Sequence, residues 1–260
     1  MHAFRADAHA TFIEEMMRHL TGFAPEVCKS LGGDRLREAV REGVTRAGAY
    51  GFTYRGPIRL FLESMFVLGS EFDDDPQYPW AGQALRQQDF PNQMFKAGRL
   101  EHLLRDYVTQ VAGPDNALSR QALLRLEALA TRSDLIFHAS SSRSDILAAF
   151  GAIFPSKLRF IGQAAAEELV DRVEVMSRSV FGAYQPRALA VMAVLGFSFG
   201  VGFADDPLLP WIGAILRSEH IEDAATRALR LERSAVLRLK TVNKNLGVTH
   251  GTVALEEVRT

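Results

Sequence analysis

The chain has few of the residues and motifs that mark metal, redox and common catalytic sites. Cys28 is the only cysteine among 260 residues, so an internal disulfide and a Cys-x-x-Cys zinc site are both excluded, and a reducing compartment is expected. The seven histidines form neither a His-x3-His nor a His-Glu-x-x-His pair, and no glycine-rich phosphate loop is present. We therefore predict no catalytic residue, no bound cofactor and no metal site.

The chain also lacks an excess of charge of either sign and a long apolar run. Thirty basic and 31 acidic residues give a net charge of −1, which argues against a general nucleic-acid or anionic-membrane binder. The longest uncharged stretch, 188–204, is short for a membrane span and contains three glycines, so it is predicted to be a buried helix. Acidic residues near the N-terminus disfavour a signal peptide, and a cytoplasmic location is expected.

One motif occurs twice in this chain. Residues 69–86 read GSEFDDDPQYPWAGQALR and residues 200–217 read GVGFADDPLLPWIGAILR, with ten of eighteen positions identical at a constant offset of 131. Random pairing at average composition gives about one match. The repeated positions include the acidic turns and both tryptophans, Trp80 and Trp211. This similarity predicts a tandem duplication, so equivalent positions are best interpreted in pairs.

Apolar residues recur at helical spacing through most of the chain. One face predicted after a cap at Asp34 contains Leu36, Val40 and Val44, and a more uniformly apolar helix is predicted to begin near Pro57. The second copy repeats this order, and no alternating strand pattern stands out. We predict an all-α fold built from two helical repeat units, 1–118 and 119–260. They are expected to share one core, because no long linker separates them.

The repeated acidic turns suggest a cation site or a structural turn. Asp73-Asp74-Asp75-Pro76 and Asp205-Asp206-Pro207 could offer oxygen ligands to Mg²⁺ or Ca²⁺. However, their acids are contiguous and lack the alternate spacing of tight calcium loops. We favour a structural role, in which an aspartate caps the turn and the proline makes it rigid. Trp80 and Trp211 are then expected to pack on the central helices, and cation binding remains an open alternative.

An enzymatic alternative comes from the segment 196–200, which reads GFSFG. It matches the nucleophile elbow of serine hydrolases, with Ser198 as nucleophile and Asp205 or Asp206, then His220 or His250, following in the required chain order. The duplication argues against this assignment, because the equivalent segment of the first copy is predicted to be helical. We expect Ser198 to be a small residue between packed helices.

A third alternative is a helical protein that binds a small molecule or lipid. A cavity for such a ligand could lie beside four aromatic residues, Phe61, Phe66, Phe197 and Phe199. Aromatic residues at helical spacing are more often ordinary core residues, and we favour that interpretation.

The first copy resembles a known group of proteins. The segments FAPEVCKSLG, LREAVREGVTRAGAYGF and FLESMFVLGSEFDDDPQYPWAGQAL fall within residues 12–85. They are similar in pattern to uncharacterised helical proteins encoded beside type VI secretion spike and effector genes. This resemblance implies a cytoplasmic adaptor, chaperone or immunity protein and supplies no catalytic residue. Together with the helical repeat, it predicts a non-enzymatic protein whose partner is a secreted effector or a spike component, not nucleic acid.

Overall fold

The computed structural model describes residues 2–87, 92–132, 142–182, 184–221 and 223–257. These ranges contain thirteen α-helices, one short 3₁₀ turn and no strand, which confirms the predicted all-α class. The helices are α1 (His2–Phe23), α2 (Pro25–Leu31), α3 (Gly33–Ala49), α4 (Arg55–Leu68), α5 (Pro79–Arg86), α6 (Gln93–Val111), α7 (Ala117–Arg132), α8 (Arg143–Ile153), α9 (Pro155–Ile161), α10 (Gln163–Phe181), α11 (Pro186–Phe199), α12 (Pro210–Leu216) and α13 (Ala224–Glu257), and the 3₁₀ turn is Pro114–Asn116. None of the described helices combines the length and apolar composition needed to cross a bilayer.

Helix boundaries coincide in the two copies at the sequence offset of 131. Helix α4 spans residues 55–68 and α11 spans residues 186–199, so both ends differ by 131. Helices α5 and α12 begin at Pro79 and Pro210, which again differ by 131. The two repeated segments therefore have the same local structure, while their origin by duplication stays a prediction.

The chain divides into two compact units that are discontinuous in sequence. The first unit contains Met1–Asp106 and Leu195–Ala214, and the second contains Tyr107–Val194 and Ile215–Thr260. The end of α11, the second acidic turn and the start of α12 thus belong to the first unit. This division differs from a simple separation at residue 118, and a common core for the two units stays a prediction.

The first unit is built on close contact among α1, α2, α3 and α4. Helix α3 buries Leu36, Val40 and Ala47 along the face predicted from their spacing. Gly43 lies on this face, where an added Cβ would be 2.4 Å from Cδ2 of Leu62 on α4. A larger side chain would separate the two helices, so this glycine permits their close packing. Helix α3 follows Gly32 and begins at Gly33, one residue before the cap predicted at Asp34.

The second unit contains α7, which packs against α8 and α13, and the mutually packed helices α8, α9 and α10. A capping box starts α8: the Ser142 hydroxyl accepts from the Asp145 N–H, and the Asp145 carboxylate accepts from the Ser142 N–H. Gly182, in the left-handed conformation, ends α10. These local signals fix helix ends in the unit.

Candidate functional site

The two acidic turns meet inside the first unit through reciprocal hydrogen bonds. The backbone N–H of Ser70 donates to Oδ2 of Asp206 at 3.0 Å, and the N–H of Val201 donates to Oδ2 of Asp75 at 2.6 Å. Ser70 and Val201 are equivalent at the sequence offset of 131, as are Asp75 and Asp206. Each turn therefore supplies a buried carboxylate to the backbone of the other.

The same two carboxylates also fix their own turns. Oδ1 of Asp75 accepts from the N–H of Gln77, and Oδ1 of Asp206 accepts from the N–H of Leu208, both at 2.8 Å. Burial raises the pKa of Asp206, while the N–H donors of Ser70 and Leu208 act in the opposite direction. Backbone donors thus occupy both oxygens of each carboxylate, which gives these two aspartates a structural use.

Two glycines allow the turns to approach closely. Gly69 and Gly200 have φ values of +105° and +98°, in the region that favours glycine. A Cβ on Gly69 would lie 2.2 Å from the carbonyl oxygen of Phe199, and a Cβ on Gly200 would lie 2.8 Å from that of Leu68. Any side chain at either position would therefore meet backbone that has no freedom to rotate away.

Asp73 is held by basic and phenolic groups around the first turn. Its carboxylate is only 3% exposed and accepts from Nη2 of Arg46 at 2.8 Å and from the Tyr50 hydroxyl at 2.6 Å. Its backbone carbonyl accepts from Nη2 of Arg86 at 2.8 Å. Burial, and then the hydrogen bond to Asp73, raise the pKa of Tyr50 to about 12. The arrangement neutralises a buried charge and joins α3 to the turn.

The remaining acids of the turns are two exposed aspartates and the partly buried Glu71. Asp74 and Asp205 are exposed, and Asp74 pairs with Arg86. Burial raises the pKa of Glu71, although nearby Arg46 opposes that shift. Within the described ranges, no group of three or more His, Cys, Asp or Glu side chains is arranged to hold a metal ion.

Ser198 lies in a continuous helix and not at a strand-to-helix elbow. Helix α11 runs from Pro186 to Phe199 and places Ser198 in its last turn, with the side chain exposed. The predicted position of Ser198 between packed helices is therefore wrong. His220 is exposed, and His250 belongs to a stretch whose side chains lie outside the described structure. The sharp turn that presents a hydrolase nucleophile is not formed at Ser198.

The aromatic residues considered for a ligand cavity occupy different environments. Phe61 and Phe197 are buried, whereas Phe199 is exposed and Phe66 is intermediate. The Phe61 ring lies 4.9 Å from the ring of Phe72, centroid to centroid. At least Phe61 is thus an ordinary core residue in contact with another aromatic ring.

Sequence reasoning missed a surface formed by Tyr54, Met94 and Phe95, which we call the apolar surface. These side chains are 60%, 52% and 58% exposed. The Gln93 carboxamide joins the two segments: Oε1 accepts from the N–H groups of Thr53 and Tyr54 at 2.7 and 2.9 Å. The segments that carry the three residues therefore meet at the N-terminal ends of α4 and α6.

The frame beneath the apolar surface is fixed by further polar contacts. Nε2 of Gln93 donates to the Thr53 hydroxyl at 2.9 Å, and Nζ of Lys96 donates to the Tyr50 carbonyl at 3.4 Å. Arg55 pairs with Glu15 of α1, which ties the start of α4 to that helix. Exposed apolar side chains are thus presented by backbone that is held from several directions.

Comparisons of this chain with family models, curated proteins and solved structures find no match.

Proposed function

We propose that this protein is a cytoplasmic interaction protein that binds a secreted effector or a spike component of a type VI secretion system. It acts as an adaptor, a chaperone or an immunity protein and carries out no chemical step. The sequence resemblance of the first copy supports the biological setting. The apolar surface of Tyr54, Met94 and Phe95 is the structural observation that carries the binding role.

The composition of the apolar surface suits a protein interface. Tyrosine, phenylalanine and methionine are enriched at interface cores, where they contribute large contact areas. Three side chains of these types on two neighbouring segments, each more than half exposed, leave apolar area that a partner could bury. Binding would then gain from the removal of this area from water.

The fixed frame lowers the cost of binding. The hydrogen bonds of Gln93 to Thr53 and Tyr54 hold the two contributing segments before any partner arrives. A surface that is already ordered loses less conformational entropy on association than a mobile loop does. This pre-organisation supports recognition of a specific partner.

Affinity co-purification from the native host, followed by mass spectrometry, tests the proposal. The tagged wild-type protein is compared with a Tyr54→Ser, Met94→Ser, Phe95→Ser variant and with a Val175→Ser, Leu237→Ser control. Val175 and Leu237 are exposed apolar residues of the second unit. We expect the wild type and the control to retain a stoichiometric effector or spike protein, which the triple variant loses.

Two outcomes would contradict the proposal. If all three proteins retain the partner equally, and circular dichroism shows equal helicity, the apolar surface does not bind the partner. Absence of an effector or spike protein from the wild-type eluate would overturn the assigned partner. With a partner identified, co-expression in a toxicity assay separates the roles, because only an immunity protein rescues growth while it remains bound to the toxin.

A further inference from the structure

We infer that the apolar surface receives an acidic amphipathic segment of the partner protein. Apolar side chains of this segment contact Tyr54, Met94 and Phe95, and its carboxylates pair with Lys96 and Arg99. The inference rests on the proposed function and specifies the chemistry of the partner at the same surface.

Basic residues outnumber acidic ones in the two segments that contribute to the apolar surface. Residues 50–63 and 92–101 contain four basic residues, Arg55, Arg59, Lys96 and Arg99, and two acidic ones, Glu63 and Glu101. The whole chain, in contrast, has a net charge of −1. A local excess of basic side chains therefore borders exposed apolar residues, and it is complementary to an acidic partner.

Two of these four basic residues are already paired within the first unit. Arg55 pairs with Glu15, and Nε of Arg59 lies 3.7 Å from Oε1 of Glu63. Their charges are partly compensated, so they contribute less to attraction of a partner. The partner's carboxylates are therefore expected to pair with the other two basic residues.

Lys96 and Arg99 are positioned for this pairing. Lys96 follows Phe95 in α6, and its ammonium group contacts only the carbonyl of Tyr50 among the described hydrogen bonds. Arg99 is exposed and forms no ion pair within the described structure. Phe95 and Arg99 are four residues apart, so they lie on the same face of the helix. One face of α6 thus presents an aromatic ring beside a free guanidinium group.

The N-terminal end of α6 adds a weaker positive charge beside the apolar surface. Oδ1 of Asn92 accepts from the N–H of Met94 at 2.9 Å, which caps the first turn of the helix. The N-terminal end of a helix carries partial positive charge, which favours a nearby carboxylate. This field acts at Met94 and Phe95 and supports the preference for an acidic segment.

A protein segment fits this surface better than a nucleic acid does. Nucleic-acid binding depends on several cations that neutralise successive phosphates. Of the four basic residues here, Lys96 and Arg99 have no ion pair within the described ranges, and Glu15 and Glu63 lie beside the other two. An amphipathic helix with few carboxylates needs no more than these two cations, and its apolar face covers the exposed side chains.

The test uses fluorescein-labelled probes and the full chain in fluorescence anisotropy. The first probe is a helical peptide with leucine and phenylalanine on one face and glutamate beside them, and the second has lysine in place of glutamate. The third is a single-stranded oligothymidine. We expect the acidic peptide to bind about tenfold more tightly than the basic one, with a preference that weakens between about 50 mM and about 300 mM NaCl.

Charge-reversed variants locate the effect. Lys96→Glu, Arg99→Glu should abolish the preference for the acidic peptide. The control Arg230→Glu, Lys240→Glu changes net charge equally at exposed positions of α13 in the second unit and should retain the preference. Circular dichroism confirms that each variant is folded.

Each contrary result overturns the inference. Failure of the acidic peptide to bind, equal binding of both peptides, or tighter binding of the oligothymidine would show that the surface does not select acidic protein segments. If the host partner still requires Tyr54, Met94 and Phe95 in co-purification, the proposed function stands and only the acidic character is wrong. Loss of that requirement would instead reject the proposed binding surface.

Discussion

The guanidinium of Arg46 faces both oxygens of the Asp73 carboxylate: Nε lies 3.0 Å from Oδ1 and 3.1 Å from Oδ2. Asp73 is buried, whereas Arg46 remains about one-third exposed at 34%. Among the described ion pairs, Arg46 is the cation that contacts the buried carboxylate of Asp73. This contact connects α3 to a turn that is 27 residues away in sequence.

Arg46→Ala should lower the free energy of unfolding by about 2–3 kcal/mol. Removal of one partner from a buried ion pair costs about 3–5 kcal/mol, and the partial exposure of Arg46 places this pair below that range. Arg41→Ala, at an exposed position of the same helix, is the matched control. Urea denaturation followed by circular dichroism measures both, and equal midpoints for the two variants would show that Asp73 does not rely on Arg46.

Tyr50 should ionise at a higher pH than an ordinary tyrosine does. Burial and the hydrogen bond to Asp73 raise its pKa from 10.0 to about 12. A spectrophotometric titration of phenolate absorbance should therefore lose a phase near pH 12 in Tyr50→Phe. Persistence of that phase in the variant would assign the raised pKa to another tyrosine.

The same shift makes stability depend on pH in the alkaline range. Between pH 10 and about 12, the unfolded chain loses the Tyr50 proton while the folded protein retains it. The folded state then binds more protons, so its stability falls as pH rises through this window. Below the window, the contribution of Tyr50 to the free energy of unfolding is fully present. Urea midpoints of the wild type should fall more steeply than those of Tyr50→Phe over this window, and parallel curves would contradict the linkage.

Helix positions could be predicted from the sequence, because apolar spacing and turn residues are local signals. The face of α3 that contains Leu36 and Val40 is buried as its spacing predicts. The contact between Ser70 and Asp206 joins residues separated by 136 positions. The local spacing of apolar residues cannot predict a contact between residues so far apart in sequence. The repeated motif identified the important turns without showing that their carboxylates bind each other's backbone.

Exposure was the property that sequence patterns predicted least well. Ser198 lies in a strongly apolar stretch, yet its side chain is exposed near the end of α11. Tyr54, Met94 and Phe95 look like ordinary core residues in the sequence, and only tertiary packing leaves them at the surface.

Ser198→Ala should leave stability unchanged, and neither the wild type nor the variant should hydrolyse an ester. The side chain is exposed within a helix, and such a substitution changes the free energy of unfolding by about 0.5 kcal/mol or less. Thermal unfolding is measured together with hydrolysis of a p-nitrophenyl ester. Ester hydrolysis by the wild type that disappears in Ser198→Ala would establish the serine hydrolase alternative and reject the non-enzymatic role.

Gly69→Ala and Gly200→Ala should each destabilise the first unit strongly. Both positions have positive φ, and an added Cβ would lie 2.2 Å from the carbonyl oxygen of Phe199 or 2.8 Å from that of Leu68. Backbone strain of about 1–3 kcal/mol adds to the steric overlap. Because the added Cβ would be closer to backbone at Gly69 than at Gly200, the Gly69 variant should be the less stable of the two.

Gly98→Ala supplies the control for these substitutions. Gly98 lies within α6, and an added Cβ there has no heavy atom within 4 Å outside its chain neighbours and the nearby backbone of its own helix. Alanine favours a helix over glycine by about 1 kcal/mol, so this variant should be as stable as the wild type or more stable. Chemical denaturation should then show that the change from glycine to alanine lowers the free energy of unfolding at Gly69 and Gly200 and does not lower it at Gly98. Wild-type stability in Gly69→Ala would mean that the turns do not approach each other as closely as Gly69 and Phe199 do here.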